Sequence, residues 1–269
     1  MSEKICGDRD RREELTPEKA GAGYGRLLWE ELKGLLESAG AALAGCGDLR
    51  GQAYSVGIAV ALPVPDPIIR QLLEGPTKEY YETYHAMNRK LNEIVLAGEA
   101  FLREKGFQAW AQTTDRVSQD EEWRTPLPHK TVATRAGLGW IGKSCILVTE
   151  QYGSAIRLSS LLTDAPLPCS RPVTVSRCGD CRVCVDSCPA QALKGTLWRA
   201  GMERKELFDR EACYRKQVEI MRRRTGIEAD LCGKCFAVCP YTRRYLARKA
   251  ERQKKKSRRN WLELYLRTH

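Results

Sequence analysis

The residues best suited to chemistry in this chain are its cysteines, twelve in 269 residues. The run from Cys178 to Pro189 reads CGDCRVCVDSCP and places cysteines at 178, 181, 184 and 188, the last followed by proline. This spacing wraps three thiolates round one cubane iron–sulfur cluster and sends the fourth to a neighbouring cluster. A second run, CGKCFAVCP, holds Cys232, Cys235 and Cys239 ahead of Pro240, with Cys213 upstream. The crossing rule for two-cluster ferredoxins then assigns Cys178, Cys181, Cys184 and Cys239 to one 4Fe-4S centre, and Cys188, Cys213, Cys232 and Cys235 to the other. Two zinc sites are the rival reading, because CxxC pairs also bind zinc, but the triple spacing closed by Cys-Pro favours iron and sulfide. A disulfide framework suits neither the length of the chain nor close CxxC pairs in a reducing compartment. Clusters carry single electrons, so the chemistry expected is a relay from an external low-potential donor to a deeper redox centre. Cys6, Cys46, Cys145 and Cys169 fall outside this set and are expected to be buried structural thiols.

The elements that must position these ligands follow from periodicity and turn residues. Between Leu15 and Leu43 apolar residues recur at helical spacing around Leu27, Leu28, Leu32, Leu35 and Leu36, with Thr16-Pro17-Glu18 as the helix entry. Residues 54–62, YSVGIAVAL, form a short apolar run that reads as a buried strand, stopped by Pro63, Pro65 and Pro67. Residues 68–73 suggest a short helix, 78–105 the longest helix, and 107–112 the next strand. Residues 113–128 are polar, with two prolines, and are expected to form a long functional loop. A short helix over 129–136, a glycine loop over 137–143 and apolar segments at 145–149 and 156–163 complete an α/β domain covering residues 1–165. The cluster domain is expected over 166–245, with short helices starting near Pro189 and Pro240, and a basic tail over 246–269.

Charge and hydropathy narrow the function classes. The net charge is +11, yet ten Lys or Arg against one acid lie between Arg243 and Arg259, so the body is nearly balanced and the positive field belongs to the tail. Such a tail reads as a nucleic-acid contact or as a solvated helix face. No apolar run approaches the roughly 20 residues a bilayer span needs, and the charged N-terminus is unlike a signal peptide, so a cytoplasmic protein with no membrane contact is expected.

The stretch 137–144, GLGWIGKS, satisfies both G-x-x-x-x-G-K-S and G-x-G-x-x-G. Both patterns need a strand before the loop and a helix after it, because phosphate is held by the helix N-terminal amides. The order here is helix then strand, which argues against nucleotide binding. Glycines at this spacing still let backbone approach a flat ligand or another strand closely, and Trp140 is placed to stack on a ligand or to fill a core.

Taken together, AGLGWIGKS, a following strand, YGS, a segment ending LLTD, and the two cysteine runs resemble the epoxyqueuosine reductases over roughly residues 80–240. The Tyr84-His85 pair on the long helix is similar to a Tyr-His pair of that family. The resemblance implies a cobalamin-binding α/β domain followed by a bacterial ferredoxin-like domain with two 4Fe-4S clusters. It also implies an oxidoreductase that removes an epoxide oxygen from a modified tRNA base in queuosine synthesis. Tyr84, His85, Gly137, Gly139, Trp140, Gly142 and Lys143 are then the candidates to contact the corrinoid. Two departures stand out. The family's proton-donating Asp, in an Asp-Ser-Ala-Pro-like segment, falls near Trp123 here, which leaves Asp115 and His129 as leading candidates beside Asp120 and Glu122. Longer members also carry helical repeats that grip tRNA, a role the basic tail is expected to take electrostatically. An electron-transfer protein without a corrinoid, or a reductive activator of a corrinoid enzyme, would use the same clusters.

Overall fold

The computed structural model describes residues 22–268, so Thr16-Pro17-Glu18 and Cys6 lie outside the described residues. Helix α1 (Ala22–Ser38) buries Leu28, Leu32 and Leu36 at four-residue spacing and leaves Leu27 66% exposed, which fixes the phase of its apolar stripe. The helix ends earlier than its periodicity suggests, because the chain turns at Gly40 (φ +113°) and enters a strand.

That strand, β1 (Leu43–Asp48), pairs with β2 (Val56–Pro63), which pairs with β6 (Ile156–Thr163), which pairs with β3 (Ala109–Ala111), giving the order β1-β2-β6-β3 with every pairing antiparallel. The sheet is sandwiched. Helix α3 (Lys78–Glu104) and α1 cover one face, where Leu91, Ile94, Val95 and Leu102 meet Ile58, Val60 and Leu161. Thr77 caps α3 by accepting from the Tyr80 N–H at 3.1 Å.

The short helix α4 (His129–Arg135) covers the other face through Val132 and Ala133. Close packing there depends on small residues in the strands. A Cβ at Gly47 would stand 2.4 Å from the Arg135 carbonyl carbon, and one at Gly57 would stand 2.8 Å from Val132 Cγ1. The same glycines hide β1 in the sequence: LAGCGD carries almost none of the branched side chains by which strands are recognised.

Beyond β6 the chain forms short helices α5 (Val183–Asp186), α6 (Arg204–Leu207) and α8 (Lys234–Ala237), the longer α7 (Arg210–Thr225), and α9 (Pro240–Thr268). A helix does start at Pro240. None starts at Pro189, where a turn closed by Gln191 N–H to Cys188 C=O (3.0 Å) and Gln191 at φ +50° redirects the chain. The cluster segment shares a core with the first half: Met221, Leu231, Ala237, Tyr245 and Leu246 pack with Val64, Ile69, Leu72, Tyr80 and Met87, the first three from around helix α2 (Asp66–Gln71). Helix α9 is pinned by Lys249 to Asp66 at 2.9 Å and by Arg248, which donates to the Glu150 and Gln151 carbonyls at 3.0 and 2.8 Å. Among the described residues no helix is long and apolar enough to cross a membrane.

Candidate redox site

The eight ligand cysteines gather as two sets. Burial raises the Cys184 thiol to about 12, and the neighbours that add to the shift are Cys239, Cys178 and Cys181. Burial raises Cys213 to about 11, with Cys188 and Cys232 adding to it. Cys235 is also raised, first by burial and then by Cys232, with Cys184 and Cys213 among the rest, so the two sets adjoin through Cys184 and Cys235. Cys239, 55 residues beyond Cys184 in sequence, joins the first set because α5 packs against α8 and the start of α9 follows. Thiols held this high are protonated at neutral pH, so loading iron releases protons.

Cys188, Cys213, Cys232 and Cys235 line one cavity of about 300 Å³. Among the described residues no three His, Cys, Asp or Glu side chains close on a single metal ion.

A second cavity of about 1420 Å³ opens beside the first. Its size exceeds the roughly 300–1,000 Å³ of sites for drug-sized ligands. Cys232 and Cys235 line both cavities, as do Trp123, Lys130 and Cys145. One electron-carrying set therefore forms part of the wall of the large cavity, and the first set lies behind it.

The large cavity draws polar groups from α3, α4 and β6 and also from Thr125, Ser154, Asp48, Glu203 and Asp230. Arg157 places its guanidinium 4.0 Å from the Tyr84 ring centroid and donates to Asn88 Oδ1 at 2.7 Å. The Arg157 Nε, Ser154 Oγ and Thr125 Oγ1 atoms are buried without a hydrogen-bond partner, and all three residues line this cavity. Buried polar atoms are rarely left so, which marks them as groups for a bound molecule to satisfy. Arg157 was legible as a lone cation in the otherwise uncharged strand IRLSSLLT, but was not selected from sequence.

His129 lines the cavity with its tautomer set by a chain of hydrogen bonds. Gln112 Nε2 donates to the Leu127 carbonyl at 3.1 Å, so Gln112 Oε1 accepts from Ser160 Oγ at 2.6 Å. Ser160 Oγ, its proton committed, accepts from His129 Nδ1 at 2.8 Å. The other ring nitrogen, Nε2, is left as an acceptor. Desolvation of the ring and then the Arg157 charge lower the His129 pKa to about 4. His129 is therefore a neutral acceptor at pH 7 and not the proton donor expected from its type. Because the native ring stays neutral while the unfolded one takes a proton near pH 6.5, this residue makes stability fall as pH drops from about 6.5 towards 4. In NMR spectra one of the three histidine C2–H signals should stay unshifted between pH 8 and 5 and vanish in His129→Gln; a normal titration of that signal would disprove the assignment.

The remaining sequence candidates are scattered. Asp115 is exposed on the 113–128 loop and does not line either cavity. His85 is exposed on α3, its ring against Tyr81 and Tyr84, and only Tyr84 of that pair reaches the cavity. The glycine loop follows α4 and precedes the hairpin of β4 (Trp140–Ile141) and β5 (Leu147–Val148), so the helix-then-strand order holds. Gly137, Gly139, Trp140, Gly142 and Lys143 do not line the large cavity. Trp140 is buried with its ring 4.9 Å from Tyr241, and a Cβ at Gly142 would stand 3.5 Å from Cys178 Sγ. The loop thus packs on the first thiol set, because its tight glycine backbone fits against that segment.

Trp123 sits at φ +56° and turns its ring onto Tyr214 (4.3 Å) beneath Arg210 (3.6 Å) of α7. Arg204 donates to the Glu122 and Trp123 carbonyls, and Arg116 pairs with the buried Glu99 at 2.9 Å. The 113–128 segment is therefore held at Arg116 and at Glu122–Trp123, and Trp123 lines both cavities.

Fold and thiol geometry together define a two-cluster iron–sulfur protein, and residues 177–242 match the family of 4Fe-4S double cluster binding domains. By sequence the chain is similar to epoxyqueuosine reductases. It is 28% identical over 193 residues to that of Pseudomonas aeruginosa, covering 66% of this chain and 48% of the relative. To the one from Bacillus cereus it is 40% identical over 121 residues, covering 42% and 29%. The chain thus spans about half the length, or less, of these relatives. Solved structures share the fold. The catabolic reductive dehalogenase NpRdhA matches with a TM-score of 0.66 at 18% identity, covering 85% of this chain and 34% of that one. An epoxyqueuosine reductase crystallised with an epoxyqueuosine-modified tRNA stem loop matches at 0.53 and 19% identity, covering 81% and 66%.

Proposed function

We propose that this chain is a cobalamin-dependent iron–sulfur reductase that removes the epoxide oxygen of a modified base in tRNA. The observation carrying the proposal is the 1420 Å³ cavity walled in part by Cys232 and Cys235, which puts a macrocycle-sized space directly against one cluster. Its orphaned Ser154, Thr125 and Arg157 atoms fit a large ligand edged with amides and phosphate, which cobalamin is. Similarity to epoxyqueuosine reductases supplies the substrate class.

When bound, the corrinoid supplies a low-valent metal nucleophile towards the epoxide carbon. The protein's own part is delivery and placement. Electrons enter at the set of Cys178, Cys181, Cys184 and Cys239 and pass through the set that lines the cavity. Arg157 and Ser154 hold the occupant, His129 Nε2 accepts a hydrogen bond from it, and residues 113–128 keep water from the wall beside the second set. Trp123 occupies the region of the family's acid, and Asp115 faces solvent, so neither places a carboxyl group in the cavity. Tyr84 offers an O–H there, under the Arg157 guanidinium, for protonating the departing oxygen.

The exposed residues Arg252, Lys254, Lys255, Lys256 and Arg258 extend along α9 beyond its anchored turns and suit phosphate contacts. Anaerobically reconstituted protein given cobalamin, a strong reductant and epoxyqueuosine-containing tRNA should yield queuosine by nucleoside mass spectrometry. No conversion by protein that retains both clusters and binds cobalamin would refute the substrate. Truncation after Glu251 should weaken tRNA binding and flatten its log–log salt dependence by about 3; an unaltered slope would exclude the helix from the interface.

A further inference from the structure

Two cysteines unused by the clusters meet at the edge of the large cavity. Cys46 lies on β1 and is 1% exposed, whereas Cys169 is exposed on the segment joining the two halves of the chain and lines the cavity. Both neighbours of Cys169 are tied to Cys46. The Ser170 N–H donates to the Cys46 carbonyl at 2.9 Å, and Cys46 Sγ donates to the Pro168 carbonyl at 2.9 Å. Residue 169 is thereby held directly beside residue 46, with both of its chain neighbours bonded to Cys46. Sequence reading would make both inert structural thiols, but their environments differ. The Cys46 Sγ donates to the Pro168 carbonyl at 2.9 Å, and the Cys169 Sγ to the Leu167 carbonyl at 3.6 Å. The side-chain interaction with Cys46 lowers the Cys169 pKa, against burial and the Asp48 charge and with a smaller contribution from Arg50, and the same interaction followed by burial raises that of Cys46.

We propose that Cys46 and Cys169 are a redox-active dithiol that a low-molecular-weight disulfide converts to an intramolecular disulfide, fastening the interdomain segment to β1 at the cavity edge. The exposed Cys169 thiolate attacks the small disulfide, forming a mixed disulfide and releasing one small thiolate, which takes the Cys46 proton. Cys46 sulfur then attacks Cys169 sulfur and expels the second small thiolate, which takes a proton from water. Two protein thiols lose two electrons and two protons, and one small disulfide becomes two small thiols. The buried Cys46 can react only in the second step, and a disulfide there replaces a free thiol in the cavity wall by a cross-link.

The test uses the full chain with both clusters loaded, incubated anaerobically with oxidised glutathione, then alkylated in denaturant and mapped by peptide mass spectrometry. The 46–169 cross-linked peptide should be the main product, alkylation of Cys169 in the folded protein should fall more than tenfold, and dithiothreitol should restore it. The Cys46→Ser variant should instead accumulate glutathione on Cys169. A mixed disulfide at Cys169 as the end product in the unmodified sequence, or no reaction at either residue while the cluster absorbance is intact, would overturn the proposal. The cross-link is read in the unaltered chain, so the result does not depend on the variant folding.

Discussion

Replacing Cys188 by alanine will cut bound iron from about eight to about four per chain, and the cluster lost will be the one against the large cavity. In sequence Cys188 belongs to the first run, where a local reading would have it complete the centre held by Cys178, Cys181 and Cys184. In space it lines the 300 Å³ cavity with Cys213, Cys232 and Cys235, while Cys239 stands beside Cys184. The reciprocal variant, Cys239→Ala, should therefore spare the cavity-side cluster and lose the other. Redox titration followed by EPR distinguishes the two: each variant should keep a different single centre. Both should lose reduction driven by an external donor, because each breaks the relay at a different point. If Cys188→Ala and Cys181→Ala leave the same residual signal, the crossed assignment is wrong.

The second large effect is on stability. Gly139→Ala should cost about 3 kcal/mol or more, which for a chain of this size lowers Tm by roughly 10 °C. A Cβ at Gly139 would lie 2.1 Å from the Val148 carbonyl oxygen and 2.9 Å from its carbon, both backbone atoms fixed by the Trp140–Val148 pairing of the β4–β5 hairpin. Neither side can yield without moving Trp140, which is 1% exposed and wedged against Tyr241 at the start of α9. Gly34→Ala is the control, since nothing lies within 4 Å of a Cβ there and α1 continues through it. That variant should be neutral or more stable by about 0.5–1 kcal/mol. Equal melting temperatures for Gly139→Ala and Gly34→Ala would show that the hairpin tolerates the extra carbon. The glycines of GLGWIGKS thus each face close neighbours: Gly137 the Ser170–Arg171 segment, Gly139 the Val148 backbone, and Gly142 the Val148 side chain and Cys178 Sγ.

Much of the fold was legible because it rests on local pattern. The apolar run YSVGIAVAL announced β2, and the long amphipathic stretch from Lys78 announced α3, since burial on one face imposes its period on the chain. Strand β1 was not legible, because the glycines that let α4 lie close to the sheet remove the side chains that mark a strand. Helix α7 was missed for a related reason. Its residues are so heavily charged that little apolar periodicity survives, and only Ile220 and Met221 are buried along it.

The sequence by itself marked a two-cluster iron–sulfur segment and so single-electron chemistry, and it proposed the eight cysteines and their crossed pairing, because metal-ligand spacing within a run is a short-range property of the chain. Tertiary structure alone decided which set faces the large cavity, and that Arg157, Ser154 and Tyr84 line it from elements far apart in the chain. It also decided that His129 is a neutral acceptor, since burial and the Arg157 charge lower its pKa while a hydrogen-bond chain running from residue 112 through residue 160 sets its tautomer. The same holds for Cys46 and the backbone on either side of Cys169, separated by more than a hundred residues and brought together only when the 168–170 segment lies along β1. Distances of this kind arise from how sheet and helices pack, and no local spacing encodes them.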